Sequence, residues 1–304
     1  MTALVTPLTP TGALDNEGFD RLIERQLAGG VDALFALGSV GEGPLVSEAV
    51  YDQVAARLVS RVGGRCPTLG GASDNSVDRC LGRLDRLAAA GVQFGVLTLP
   101  YYGWPGRAED SFRFFSEVAA KSPLPIVAYN LPKAVGWQMP VELLESLYEI
   151  PNVVCIKDTH GDFGAMERIA SSPRRPAHFS YLPGNTALAA RLLTAGADGV
   201  VCTPANVFPK PFADLIRFHR AGRHDVVRRM DAELIPKLTE LLNRMPTGAA
   251  SIKGFLEADG ICGRFTVPPW PELDPDDLSA CRQYLAESRA MIETFQASVA
   301  TPPR

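Results

Sequence analysis

Short apolar runs of β type recur along this chain, separated by stretches long enough for one helix and two loops, and that rhythm limits the folds open to it. The runs cover residues 33–37, 67–70, 94–99, 125–129, 153–156, 179–182 and 199–202, and their starts lie 34, 27, 31, 28, 26 and 20 residues apart. The opening residues 3–6 make an eighth. Most runs are apolar at consecutive rather than alternate positions, as strands of a helix-covered parallel sheet are. The intervals predict helices over 16–28, 47–62, 77–90, 111–120, 141–148 and 185–194, several with a Ser, Asp or Asn start and a glycine just beyond the end, as at Gly29 and Gly91. Eight such units in about 220 residues predict an α/β fold, a (β/α)8 TIM barrel, over an open doubly wound sheet, and no GxGxxG follows the first strand.

Beyond Gly222 the strand signal stops. Val227, Met230, Leu234, Leu238, Leu241 and Met245 step by 3, 4, 4, 3 and 4, one apolar helix face, with Pro236 expected to bend it. Further helices are expected over 250–258 and 276–295, the second with Pro275 before its first turn. The reading divides the chain into a catalytic barrel, 1–221, and a helical C-terminal region packed on it, 222–304, whose last residues, 301–304, are expected to fray.

Charge removes several classes of function. Thirty basic against 34 acidic residues leave a net charge of −4, where a phosphate-neutralising nucleic-acid binder shows a basic excess. No run approaches the ~18 apolar residues of a membrane span, and the first residues have neither a basic flank nor a long apolar stretch, so a cytoplasmic protein is expected. The six cysteines, without a CxxC pair, read as buried thiols, and the four histidines form no HxH or HExxH pattern. Neither a metal site nor a cofactor is expected.

In a barrel the working residues lie at the carboxyl ends of strands and in the loops that follow. Of the six lysines, only Lys157 directly continues an apolar strand, Val153-Val154-Cys155-Ile156. A solvated lysine of pKa ~10.4 is neutral in about one molecule in 2,500 at pH 7, whereas a desolvated one near ~7–8 is nucleophilic and condenses with ketones. Position alone leaves two readings open: this nucleophile, or a buried lysine paired with Asp158 or another acid. Tyr129 ends the preceding strand and can offer its hydroxyl for proton transfer in the same mouth, or simply be a core ring. Tyr101-Tyr102 is a rigid aromatic turn, and the Gly38-Ser39-Val40-Gly41-Glu42 loop can present backbone N–H groups and the Ser39 hydroxyl to an anion.

Taken together, these pieces resemble the dihydrodipicolinate synthase / N-acetylneuraminate lyase family of Schiff-base enzymes along essentially the whole chain. The resemblance rests on Leu4-Val5-Thr6-Pro7, Gly38-Ser39-Val40-Gly41-Glu42, Leu99-Pro100-Tyr101-Tyr102, Tyr129-Asn130-Leu131-Pro132, Ile156-Lys157-Asp158, the Gly184 turn, Gly196-Ala197-Asp198-Gly199 and Ala205-Asn206-Val207. In the tail, Ser251-Ile252-Lys253 and Pro268-Pro269 agree with it too. It implies that Lys157 forms an imine with pyruvate or the 2-keto end of a substrate. Tyr129 would be the acid/base, linked through Ser39 to Tyr102, which in this family reaches in from a neighbouring subunit. The substrate carboxylate would lie against Ser39 and Val40, with Thr159, Gly184, Val201 and Thr203 as further binding positions. A homo-oligomer is implied, a dimer or a tetramer built from tight dimers.

Two departures bear on the substrate. Val40 stands where the family usually has a second hydroxyl, which removes a hydrogen bond worth about 0.5–1.5 kcal/mol, or ~1.5–3 to a charged group. Ala134 falls where the synthases usually carry an arginine for the carboxylate of aspartate semialdehyde, and Asn185-Thr186-Ala187 lacks the acidic pair of sialic-acid lyases. Thr159, His160, Asn185 and Thr203 suit a polyhydroxylated or otherwise neutral tail. The expected activity is therefore a Schiff-base aldolase or lyase acting on a 2-keto-3-deoxy or 4-hydroxy-2-keto acid, with pyruvate as the common fragment and an aldehyde as its partner. The alternatives are a 4-hydroxy-tetrahydrodipicolinate synthase with an altered semialdehyde clamp and a keto-deoxy sugar acid dehydratase. A ligand-binding relative without turnover is disfavoured by Lys157, Tyr129, Ser39 and Tyr102 occurring together.

Overall fold

A computed structural model of the chain describes residues 1–104, 106–243 and 248–300. Its centre is a parallel sheet of β1 (Thr2–Ala3), β2 (Leu34–Ala36), β3 (Thr68–Gly71), β4 (Phe94–Thr98), β5 (Ile126–Asn130), β6 (Val153–Asp158) and β7 (Ser180–Pro183), paired in sequence order. Helices follow the strands: α1 (Asn16–Ala28), α2 (Glu48–Val62), α3 (Val77–Ala89), α4 (Ala108–Lys121), α5 (Pro132–Val135), α6 (Val141–Ser146), α7 (Phe163–Ala170), α8 (Ala189–Thr194) and α9 (Pro209–Arg220). The C-terminal region adds α10 (His224–Arg229), α11 (Ile235–Asn243), α12 (Gly248–Ala258) and α13 (Pro275–Ala300). Capping sets the helix starts. Asp15, Ser47, Ser76 and Asp162 accept hydrogen bonds from first-turn N–H groups of α1, α2, α3 and α7, satisfying donors that the helix itself leaves unpaired.

Side chains alternate across the strands and divide the interior in two. Phe35, Leu69, Val96, Val127, Tyr129 and Cys155 meet on the inner face, whereas Leu34, Ala36, Leu97, Ile126, Ala128 and Ile156 join the larger core beneath the helices. That larger core also takes in Val227, Met230, Leu234, Leu238, Phe255 and Phe295, so the C-terminal helices share it. Glycines on β3 and β4 let α3 approach the sheet: a Cβ on Gly70 would meet Leu87 at 2.4 Å, and one on Gly95 would meet Leu84 at 2.1 Å. Gly95→Ala overpacks this seam, and a fall of about 1–3 kcal/mol in unfolding free energy is expected in denaturant titration.

The run at 199–202 is not a ladder strand. It makes one bridge, Thr2 to Cys202, although Val201 donates to the Pro183 carbonyl and Cys202 to that of Met1. On the β7 side donors are missing: Tyr181 gives its N–H to the Asp198 carboxylate, and Pro183 has none. The opening strand is shorter than expected, and β6 is longer, since it contains Lys157 and Asp158. Where Pro236 was expected to bend the helix, a π-helical turn, Met230–Leu234, lies directly before it, accommodating a residue with no N–H to give. Met245 and residues 301–304 lie outside the described residues. All six cysteines are free thiols, Cys66 half-buried and the others buried. Among the described residues, no helix is long and apolar enough to cross a membrane.

Candidate active site

The alternation along β5 and β6 decides which groups meet. Val127 and Tyr129 face inward on β5, Cys155 faces inward on β6, and Lys157, two residues on, faces the same way. Tyr129 and Lys157 are also register partners across the two strands. The Lys157 Nζ lies 3.8 Å from the centroid of the Tyr129 ring and 4.8 Å from that of Phe35, with the residue only 6% exposed.

Asp158 points to the opposite face. Its carboxylate accepts from Asn130 Nδ2 at 2.8 Å, the Tyr181 hydroxyl at 2.8 Å and the His160 backbone N–H at 2.9 Å. The Lys157–Asp158 ion pair left open by the sequence therefore does not form. Burial pushes the Asp158 carboxyl up, and these three donors pull it back. Ring faces attract a cation by only about 0.5–2 kcal/mol, far less than a buried carboxylate does, so they hold Lys157 Nζ without locking it into an ion pair.

The loop after β2 is held in an uncommon conformation. Leu37 and Glu42 have φ of +61° and +54°, a region that non-glycine residues enter at a cost of roughly 1–3 kcal/mol each when the surroundings over-determine it. Those surroundings are tight: a Cβ on Gly43 or on Gly71 would fall 1.9 or 2.0 Å from the Leu37 carbonyl oxygen. The Thr6 hydroxyl donates to the Gly41 carbonyl at 2.5 Å. Ser39 is thereby set, exposed, on the wall of a cavity of about 480 Å³ that Phe35, Thr98, Tyr101, Tyr129, Ala134 and Trp270 also line. Val40 is half-buried against the inner cluster.

A second cavity, about 690 Å³, is lined by Thr159, Gly184, Asn185 and Thr203, and Leu131 and Lys133 border both. Gly184 leaves room for Thr159: a Cβ there would fall 2.5 Å from the Thr159 methyl, though at an ordinary contact distance of 3.6 Å from Lys157 Cε. Val201 is buried in the inner cluster with Tyr129. His160 braces its loop through the backbone bond to Asp158. Tyr102 is 84% exposed and lines neither cavity, while the N–H groups of Tyr101 and Tyr102 both donate to Asn75 Oδ1, at 3.0 and 2.9 Å.

Among the lining residues that the sequence does not single out are Thr98 and Trp270, and it marks Tyr101 only as part of an aromatic turn. Thr98 is the register partner of Tyr129, and counting in twos from Val96 would have found it. Tyr101, rather than Tyr102, lines the cavity of its own chain. Trp270 arrives from the C-terminal region, and nothing local in the sequence announces that.

A helix-covered parallel sheet that brings a buried lysine amine and a tyrosine together at its strand ends, beside an open cavity, defines a lysine Schiff-base lyase of the aldolase type. A family model described as the dihydrodipicolinate synthetase family matches residues 1–287, and the chain belongs to that family. A 4-hydroxy-tetrahydrodipicolinate synthase of Stenotrophomonas maltophilia is 34% identical over 236 residues, 78% of each chain. One from Xanthomonas axonopodis pv. citri is 32% identical over 95% of this chain and 92% of its own. The crystal structure of dihydrodipicolinate synthase from Thermotoga maritima, 29% identical, covers 95% of this chain and 97% of its own with a TM-score of 0.89.

Proposed function

We propose that this protein cleaves or forms a 2-keto-3-deoxy or 4-hydroxy-2-keto acid through an imine on Lys157, with pyruvate as the common fragment. The observation that carries this reading is the Lys157 amine, buried against the Tyr129 ring and not paired with Asp158. The amine adds to the ketone carbon and water leaves, giving the imine. Tyr129 takes the proton of the 4-hydroxyl, the C3–C4 bond breaks, and its electrons pass into the protonated imine to give an enamine and a free aldehyde. Protonation at C3 and hydrolysis then release pyruvate and restore the amine. Ser39 and the loop N–H groups hold the carboxylate beside the keto carbon, and Thr159, Gly184, Val201 and Thr203 border the space for the rest of the substrate. The barrel is completed by residues 199–202 as an eighth stave between β7 and β1. Residues 1–221 supply the reacting groups, and the described residues of the 222–304 region form the helices packed against them. The setting is the cytoplasm.

Borohydride trapping with a panel of 2-keto acids tests the reading. Pyruvate should label the enzyme, and an absence of label with every 2-keto acid would overturn it. Substrate choice turns on Ala134. An arginine–carboxylate contact here would contribute about 1.5–3 kcal/mol, or roughly 10–160-fold in affinity. Without it, kcat/KM for pyruvate release from 2-keto-3-deoxy or 4-hydroxy-2-keto acids should exceed that for condensation with aspartate semialdehyde. The converse result favours the second reading, a 4-hydroxy-tetrahydrodipicolinate synthase like its named relatives. Lys133 gives that reading a physical basis, because it borders both cavities beside Ala134 and can offer a point charge to the semialdehyde carboxylate.

Assembly belongs to the same proposal. Tyr102, so exposed in the single chain, completes the site of a second copy in a homo-oligomer. An interface variant that sediments as a monomer should lose most of its activity with Lys157 intact, and a fully active monomer would contradict the shared site.

A further inference from the structure

Glu42 and Lys253 form an ion pair in which neither side chain is exposed at all. It joins residues 211 positions apart: Glu42 closes the loop that carries Ser39, and Lys253 lies on α12 of the C-terminal region. Both partners have a second bond. The Glu42 carboxylate accepts the Val267 backbone N–H at 2.7 Å, and Lys253 Nζ donates to the Phe265 carbonyl at 2.7 Å. Three residues beyond Val267, Trp270 lines the same cavity as Ser39. Burial alone pulls the Lys253 ammonium below its usual value, and Glu42 opposes that shift. A pair of this kind is a poor source of net stability, since desolvation of both charges offsets most of their attraction. What it does supply is a fixed spacing, because each partner is worth far less in any other position.

We infer that Glu42 and Lys253 are positioning residues for the proposed reaction: they hold the Ser39 loop and the Trp270 wall in one frame around the bound 2-keto acid. This rests on the Lys157 reading, and it makes the C-terminal region part of the active site. The left-handed φ of Glu42 gives the loop a reason to relax once the tether is cut, and Ser39 moves with it. The carboxylate of pyruvate then meets a displaced set of donors.

The test compares steady-state kinetics, pyruvate trapping and melting temperature of the full chain. A double variant, Glu42→Gln with Lys253→Met, removes both charges at nearly constant volume and should melt close to the wild type. Its KM for pyruvate should rise by about tenfold or more, since a displacement of an ångström in a binding group is costly. Label should still reach Lys157 at saturating pyruvate. Asp259→Asn is the control: Asp259 pairs with Arg25 at 2.8 Å, another link between the C-terminal region and the sheet's helices, and its loss should lower the melting temperature without moving KM. A folded double variant with unchanged KM, or an equal KM rise in Asp259→Asn, would overturn the inference. If the double variant does not fold, Glu42→Asp, which keeps the charge and withdraws the carboxylate by one methylene, makes the same comparison. Label mapped away from Lys157 in the wild type would instead sink the Schiff-base reading, so the two failures are distinct.

Discussion

Lys157→Ala should abolish borohydride-dependent incorporation of pyruvate and lower kcat by on the order of 10⁴–10⁶, the scale of losing a covalent nucleophile. The fold should survive. Because Asp158 satisfies its carboxylate through Asn130, Tyr181 and His160, removing the amine strands no buried counter-charge. The alanine leaves a gap against the Phe35 and Tyr129 rings, beside cavities that are already open. Peptide mapping of the wild-type adduct and circular dichroism of the variant make the check. Label recovered on Lys210 or Lys253 would refute the assignment, and Lys253, wholly enclosed with Glu42, is the less accessible of the two.

Tyr129→Phe should lower kcat by about 10²–10⁴, the usual contribution of a positioned general acid/base. The substitution keeps the ring face that the Lys157 amine rests on and removes only the oxygen, so imine trapping with pyruvate should persist while C–C cleavage slows. That split separates proton transfer from placement of the nucleophile. Ser39→Ala should be milder, because a water can take over one hydroxyl at an exposed position. A Tyr129→Phe enzyme with undiminished turnover would mean that the proton travels by another route, with the Thr98 hydroxyl, beside Tyr129 in register, as the first to examine.

The frame of this fold is written in local chemistry. Apolar runs at near-regular intervals give strands whose order follows the chain, because each crossover is one helix long. Asp15, Ser47, Ser76 and Asp162 mark helix starts through bonds to their own next turn. The inward direction of Lys157 follows from a period of two, a property of any strand. Other facts depend on residues far apart in sequence. That Tyr129 and Lys157 meet needs the β5–β6 register, which shifts between Ile126 and Val127 and cannot be counted from one strand alone. That residues 199–202 make a bridge rather than a strand is decided by the donors that β7 withholds. Tyr101 rather than Tyr102 lines the cavity, in a turn whose two N–H groups are both held by Asn75 from the preceding strand–helix unit. The placement of Trp270 and the bond between Glu42 and Lys253 exist only because the C-terminal helices fold back across the loop after β2. Most of the elements and the facing of the lysine are thus written in interactions within a few residues. What the lysine touches and what encloses it come from long-range packing, because those contacts join segments that chain spacing does not relate.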